Sequence, residues 1–402
     1  MAAWTDLKIK PSELRLDPTL TCGQAFRWQS TGPSEWTCAL FGHAIDLKQT
    51  PTTILFRTLG HLKTAPTDHS HVESSLRDYL QLHISLGTLC DTWTIVDPDF
   101  AKLRKAQEGV RTLRQPVVET LFAFIASSNN NIKRITMLVN KFCAHFGTPI
   151  ETNKGIFYTF PEVKDIARCA DIEGTLKELG FGYRAKYYAK TVALLCDSHE
   201  CPEIFLLGLR DKSLEEARKE LLQLSGVGPK VADCVCLMAL DKPGAVPVDT
   251  HIWQVALRRY VPRIANMQDG IGAEQSRRLV PPEDKVELVR GLARQLVAGQ
   301  KAPSTKAYEA AQQLIIALFG PFAGWAQGML FSGDLDTAES SAAAAKKEPA
   351  ASKRKGKVDV SPVKPAKPIK PENPTNPEIP ASSIKMRLRK RKARFREEGK
   401  AE

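Results

Sequence analysis

The chain has nine cysteines, but none forms a Cys-x-x-Cys pair and none follows Cys236. This argues against a disulfide framework and against a structural zinc site. No metal and no cofactor is expected. No apolar run is read as long enough to span a bilayer, and no signal peptide is expected. Asp6 and Glu13 weaken the reading of a mitochondrial presequence. Aromatic residues almost vanish beyond residue 340, and a segment without them cannot bury enough surface to fold.

Charge is just as unevenly spread. The 402 residues carry a formal net charge of +12, yet residues 341–402 alone hold 18 Lys/Arg against 7 Asp/Glu. The rest of the chain, with 39 basic and 38 acidic residues, is close to neutral. The body is therefore not broadly basic, and any polyanion contact must rest on a local face and on helix N-termini.

The segment 339–402 is expected to be a disordered basic tail. Prolines 362, 365, 368, 371, 374, 377 and 380 recur every third residue, the period of a polyproline II rod. The rod separates two basic clusters, 346–357 and 385–396, which suit an import receptor or a DNA backbone. A nuclear location follows, with a mitochondrial form left open.

The most informative stretch is 221–253. Ser213 and Glu216 form a capping box for a helix carrying Leu214, Ala217, Leu221 and Leu224 at helical spacing. Gly226 and Gly228 follow as a tight turn, and Pro229 suits the first position of a second helix. The free amides there make a phosphate site, although GxG between helices is also an ordinary helical hairpin.

Lys230 sits in the first turn of that second helix, where the dipole disfavours a cation. A neutral lysine is a nucleophile toward a sugar carbon, while a solvated lysine touching a phosphate is the plain alternative. Asp249 follows the extended Val246-Pro247-Val248 and precedes an amphipathic run from Thr250 to Tyr260. It reads as a helix N-cap, and a carboxylate held that rigidly can also stabilise an oxocarbenium ion or deprotonate an attacking amine. His251 lies in the same turn, either as a phosphate ligand or as a surface histidine.

Six stretches in order carry a resemblance: GQAFRW (23–28), SSNNN (127–131), GYRA (182–185), KVADC (230–234), PVDTH (247–251) and GWAQGMLF (324–331). They resemble eukaryotic 8-oxoguanine DNA glycosylase, in the helix-hairpin-helix glycosylase superfamily, over roughly the first 335 residues.

The resemblance implies roles. Lys230 is the Schiff-base nucleophile and Asp249 assists base loss. The Gly23 carbonyl accepts from N7–H of 8-oxoguanine, a donor that guanine lacks. Gln327 reads the Watson–Crick edge, and Phe331 and Cys234 sandwich the base. Asn129, Arg134 and Arg184 hold the orphaned cytosine, while Tyr183 wedges into the gap. His251 and the amides at Gly226 and Gly228 take phosphates. These roles match what base flipping requires. Taken singly, Phe331 reads as core, Cys234 as a small buried hydrophobe and the asparagine run as a loop or cap. Related endonuclease III and adenine glycosylases usually carry a four-cysteine iron–sulfur cluster after the aspartate helix, and this chain has no cysteine there.

The fold expected is α+β, mainly α: a β-rich antiparallel domain over 1–112, helical domains over 113–338, and the tail. Helices are predicted over 117–126, 132–146, 176–179 and 185–196. Residues 261–303 look like a surface insertion containing a helix over 284–298. The function expected is a monomeric, bifunctional glycosylase and lyase acting on double-stranded DNA with 8-oxoguanine opposite cytosine, away from membranes. Two rivals stand: a same-fold glycosylase for another oxidised base, and a non-catalytic helix-hairpin-helix DNA-binding protein.

Overall fold

The computed structural model describes residues 3–265, 279–298 and 305–347. Strand-forming alternation near the N-terminus produces β1 (Thr5–Asp6), β2 (Gln29–Gly32), β3 (Glu35–Leu40), β4 (His43–Gln49) and β5 (Ile54–His61). They form one antiparallel sheet in the order β1-β5-β4-β3-β2. The turn between β2 and β3 falls at Pro33 and Ser34, with Ser34 at φ 56°. The sheet buries Cys38, Leu40, Ile45, Leu47, Ile54 and Phe56 in a core of its own. Helices α1 (Leu16–Thr21) and α2 (His69–Tyr79) share that core, whereas α3 (Leu86–Val96) and α4 (Phe100–Ala106) bury Trp93 and Phe100 in the main helical core.

Helices dominate from there on. They are α5 (Val117–Ala126), α6 (Ile132–Phe146), α7 (Val163–Ala167), α8 (Ile172–Glu178), α9 (Arg184–Ser198), α10 (Pro202–Gly208), α11 (Leu214–Leu221), α12 (Pro229–Ala239) and α13 (Thr250–Val255). One π-helical turn, Ala256–Tyr260, leads into α14 (Val261–Ala265). The last three are α15 (Val286–Ala298), α16 (Thr305–Phe319) and α17 (Ala323–Lys347). The bounds of α5 and α6 equal the predicted ones. Helix α8 starts four residues early because Asp171 caps it, accepting from Gly174 N at 2.8 Å.

Three features depart from the sequence reading. A hairpin of β6 (Pro149–Thr152) and β7 (Gly155–Tyr158) interrupts the helices. Its Lys154 donates to both oxygens of fully buried Asp46, at 2.9 and 2.8 Å, and so ties the hairpin to the sheet. Next, the segment read as a surface insertion supplies core. Val289, Leu292, Ala293 and Leu296 of α15 are buried in the main cluster, whereas residues 266–278 of the same segment lie outside the described residues. An amphipathic helix beside α16 had an apolar stripe to bury. Finally, helix α17 runs to Lys347, past the point where the tail was expected to begin. The proline-rich tail beyond it lies outside the described residues.

One membrane expectation needs correction. The stretch Thr305–Leu335 is long and apolar enough to cross a bilayer by length and composition. Two thirds of its most apolar window is buried inside the protein, where Leu314, Ile315, Leu318, Trp325 and Met329 pack as core.

Candidate active site

The Ser213 capping box forms as read, with Glu216 N donating to Ser213 Oγ at 3.2 Å and Ser213 N to Glu216 Oε2 at 2.9 Å. The two glycines of the hairpin then play different parts. Gly226 sits at φ +81°, and a Cβ there would lie 2.7 Å from the Cβ and Cγ of Tyr187 on α9. Gly228 has φ −98° and ψ −179°, and a Cβ there would meet nothing. Conformation therefore demands glycine at 226 only. At 228 the backbone is bare and exposed at the N-terminus of α12, the arrangement an anion needs.

Lys230, half-buried, projects its ammonium over the ring of Phe124, 5.0 Å from the centroid. One turn along α12 stands the buried thiol of Cys234. Burial pushes the thiol up to about 12 against the pull of Lys230, so Cys234 stays a neutral apolar surface.

Asp249 caps α13 through one oxygen. Oδ1 accepts from His251 N and from Ile252 N, each at 3.0 Å. The cap expected from sequence is thus real. Oδ2 takes part in neither bond.

These elements converge on one cleft. Gly23, Phe124, Lys230, Cys234, Asp249, Gln327 and Phe331 all line it, with Arg111, Met238 and Trp325. It encloses about 570 Å³ of empty space, open solvent at its mouth included. Gly23, at φ +84°, closes one side. A Cβ there would stand 2.8 Å from Ile132 Cδ1 and 3.7 Å from Phe331 Cε1. Gln327 is buried, Cys234 is buried and Phe331 is half-buried. Helix α17 comes close because Gly324 rests on the 243–245 loop, where a Cβ would be 2.2 Å from Ala245 O. Gly324 N donates to Pro243 O at 2.9 Å.

The residues assigned to the opposite strand sit on a second surface. Asn131 caps α6, accepting from Arg134 N at 2.9 Å, and Asn130 donates to Ala126 O at 3.0 Å. Asn129, held at φ 48°, remains exposed. Arg134 is exposed, and Tyr183 is 50 % exposed with its hydroxyl donating to Ser128 O at 2.9 Å. Arg184 is placed differently. It is buried, and its guanidinium donates to Ser128 O and to Asn129 O (2.8 Å), so it braces the loop carrying Asn129.

The sequence reading missed Asp334. Its Oδ2 lies 3.0 Å from His251 Nδ1 and its Oδ1 2.8 Å from Arg258 Nη2. His251 also stands edge-on to Phe331, with ring centroids 5.6 Å apart. The signal was spacing: 327, 331 and 334 fall on one helical face. Among the described residues, no group of three or more His, Cys, Asp or Glu is arranged to hold a metal ion.

Comparison with known proteins agrees with this geometry. Residues 6–121 match the 8-oxoguanine DNA glycosylase N-terminal domain, and residues 122–278 match the HhH-GPD superfamily of base excision DNA repair proteins. The N-glycosylase/DNA lyase OGG1 of Arabidopsis thaliana is 34% identical over 333 residues, covering 83% of this chain and 80% of the relative. The N-glycosylase/DNA lyase of Saccharomyces cerevisiae is 34% identical over 346 residues, covering 82% and 85%. The fold matches that of the Clostridium acetobutylicum 8-oxoguanine glycosylase/lyase, solved with double-stranded DNA containing cytosine opposite 8-oxoG. The TM-score is 0.60 at 24% identity, over 81% of this chain and 93% of that one. A lysine and a carboxylate in one cleft, a hairpin with bare amides and two family domains in tandem lead to one conclusion: the chain belongs to the 8-oxoguanine DNA glycosylase family of the HhH-GPD superfamily, and is an N-glycosylase/DNA lyase.

Proposed function

We propose that the enzyme excises 8-oxoguanine opposite cytosine from double-stranded DNA, by a Schiff base at Lys230 followed by β-elimination. The observation that carries this reading is the meeting of Lys230, Asp249, Gly23, Cys234, Gln327 and Phe331 around one cleft.

The chemistry follows from what surrounds each group. An extruded base enters the cleft and stacks between Phe331 and the neutral Cys234 face. Gln327 meets its Watson–Crick edge, and the carbonyl of Gly23 accepts from N7–H. Guanine has no hydrogen at N7, so that acceptor is left unpaired, and an unpaired buried acceptor costs about 1–3 kcal/mol. The amine of Lys230 attacks C1′ as the bond to the base breaks, and the base leaves with the electron pair. The free oxygen of Asp249 stabilises the positive charge that develops on the sugar and takes a proton from the attacking amine. The C1′–O4′ bond then breaks, O4′ taking a proton back from Asp249, which leaves the Schiff base; loss of the C2′ proton next to it expels the 3′-phosphate. The hairpin amides at Gly226 and Gly228, together with His251, hold the phosphates, while Asn129 and Arg134 face the orphaned cytosine and Tyr183 fills the gap.

Single-turnover base release tests this reading on four duplexes, with 8-oxoguanine opposite cytosine, 8-oxoguanine opposite adenine, guanine opposite cytosine, and dihydrouracil. Fastest release from the first supports it. Preference for dihydrouracil moves the enzyme to another oxidised base, and binding without release leaves a DNA-binding module. We also propose a nuclear location through the basic clusters of the tail. Imaging a fluorescent fusion with and without residues 346–396 checks it, and unchanged nuclear signal on deletion overturns it.

A further inference from the structure

The proposed wedge and the phosphate-binding hairpin share one side chain. Tyr183 stands at the N-cap of α9, and the ring of Tyr187, one turn on, meets it edge-on at 5.8 Å and 81°. Residues four apart lie on one helix face, so both rings point along the same side of α9. On its other side Tyr187 abuts the hairpin, because Gly226 approaches so closely that a Cβ would lie 2.7 Å from Tyr187 Cβ and Cγ and 2.8 Å from Cδ2. One turn further, Thr191 Oγ1 donates to Ser225 O at 2.9 Å and fixes the hairpin to the same face. Positions 183, 187 and 191 thus form a line of wedge, ring and anchor. Ring and threonine leave the hairpin little room to move relative to α9.

We infer that Tyr187 is a positioning residue that couples the phosphate grip to base extrusion. This rests on the functional reading above, in which Tyr183 enters the stack while the hairpin amides hold the backbone. Once phosphates occupy the hairpin, the depth of the wedge is set by the ring between them. Removing the ring leaves both parts intact and unhinges them. Tyr187 is not among the residues that line the cleft of Lys230 and Asp249.

The test is a double-mutant cycle of Tyr183→Ala and Tyr187→Ala on the 8-oxoguanine–cytosine duplex. It reads single-turnover release, DNA affinity and unstacking of a 2-aminopurine beside the lesion. Tyr187→Ala is expected to slow unstacking and release about tenfold while Kd stays within about threefold, and the double variant is expected to be no slower than Tyr183→Ala. Tyr187→Phe, which keeps the ring, restores the wild-type rate. The inference is overturned if the two effects multiply, or if Kd weakens as much as unstacking slows. In that case Tyr187 only supports the hairpin. A wild-type enzyme that releases no 8-oxoguanine sinks the functional reading and this inference with it, whereas an active wild type with multiplying effects sinks this inference alone.

Discussion

The carboxylate of Asp249 holds the amide of Ile252 at 3.0 Å through Oδ1, the same oxygen that takes the amide of His251. Oδ1 anchors the helix, and Oδ2 takes part in neither cap bond. Asparagine is as good an N-cap as aspartate, so Asp249→Asn separates the two roles. Thermal melting of the variant is expected to match wild type within about 1 kcal/mol, while single-turnover release falls about 10²–10⁴-fold. A near-normal rate would reduce Asp249 to a cap.

The hairpin glycines invite a paired substitution. At Gly226 an added methyl meets Tyr187 at 2.7 Å and φ is +81°, so Gly226→Ala is expected to cost about 2 kcal/mol or more of stability. At Gly228 the methyl meets nothing in the protein. Gly228→Ala should melt like wild type and bind duplex DNA more weakly, because the methyl stands where a phosphate would approach. Unaltered affinity in titrations of Gly228→Ala would remove the hairpin amides from the DNA contact.

Gly23→Ala places a methyl 2.8 Å from Ile132 Cδ1, in a backbone conformation at φ +84°. The end of Ile132 can shift, but the left-handed backbone strains any side chain, at about 1–2 kcal/mol. Displacing the Gly23 carbonyl should shrink the preference for 8-oxoguanine over guanine at least about tenfold. A variant with the full preference would assign lesion choice to another group.

Buried Asp233 makes stability depend on pH. Burial raises its carboxyl to about 6, against the pull of Arg218 and the amide of Gln312, whose Nε2 donates at 2.7 Å. Arg218 Nε lies 3.0 Å from Oδ1, yet that oxygen accepts no aligned hydrogen bond. Because the folded value exceeds the ordinary 3.8, the folded state binds the proton more tightly. This contribution therefore strengthens as pH falls from about 6 to about 4, by about 2–3 kcal/mol in all, and is lost as pH rises again. Subtracting the Asp233→Asn melting curve from wild type over that range isolates the effect, and parallel curves would refute it.

Much of this was legible in the chain because the signals are local. Residues 213–216 spell a cap, 226–230 a turn and a helix start, and 249–252 a second cap. The segments 117–126 and 132–146 are helices whose bounds follow from period and flanking residues. What escaped is settled by contacts distant in sequence. Lys154 gives no sign that it will reach Asp46, 108 positions away. The helix over 286–298 reads as surface until it lies on α16. Asp334 gains meaning only when α17 brings it to His251, and the burial of Arg184 depends on the turn of the 128–129 loop above it.

Borohydride reduction during turnover tests the Schiff base at Lys230 most directly, on a duplex with one 8-oxoguanine opposite cytosine. The wild-type chain is expected to become covalently joined to the DNA, and the Lys230→Gln variant to bind the duplex and trap none of it. An adduct with Lys230→Gln, or none with an active wild type, would contradict the assignment.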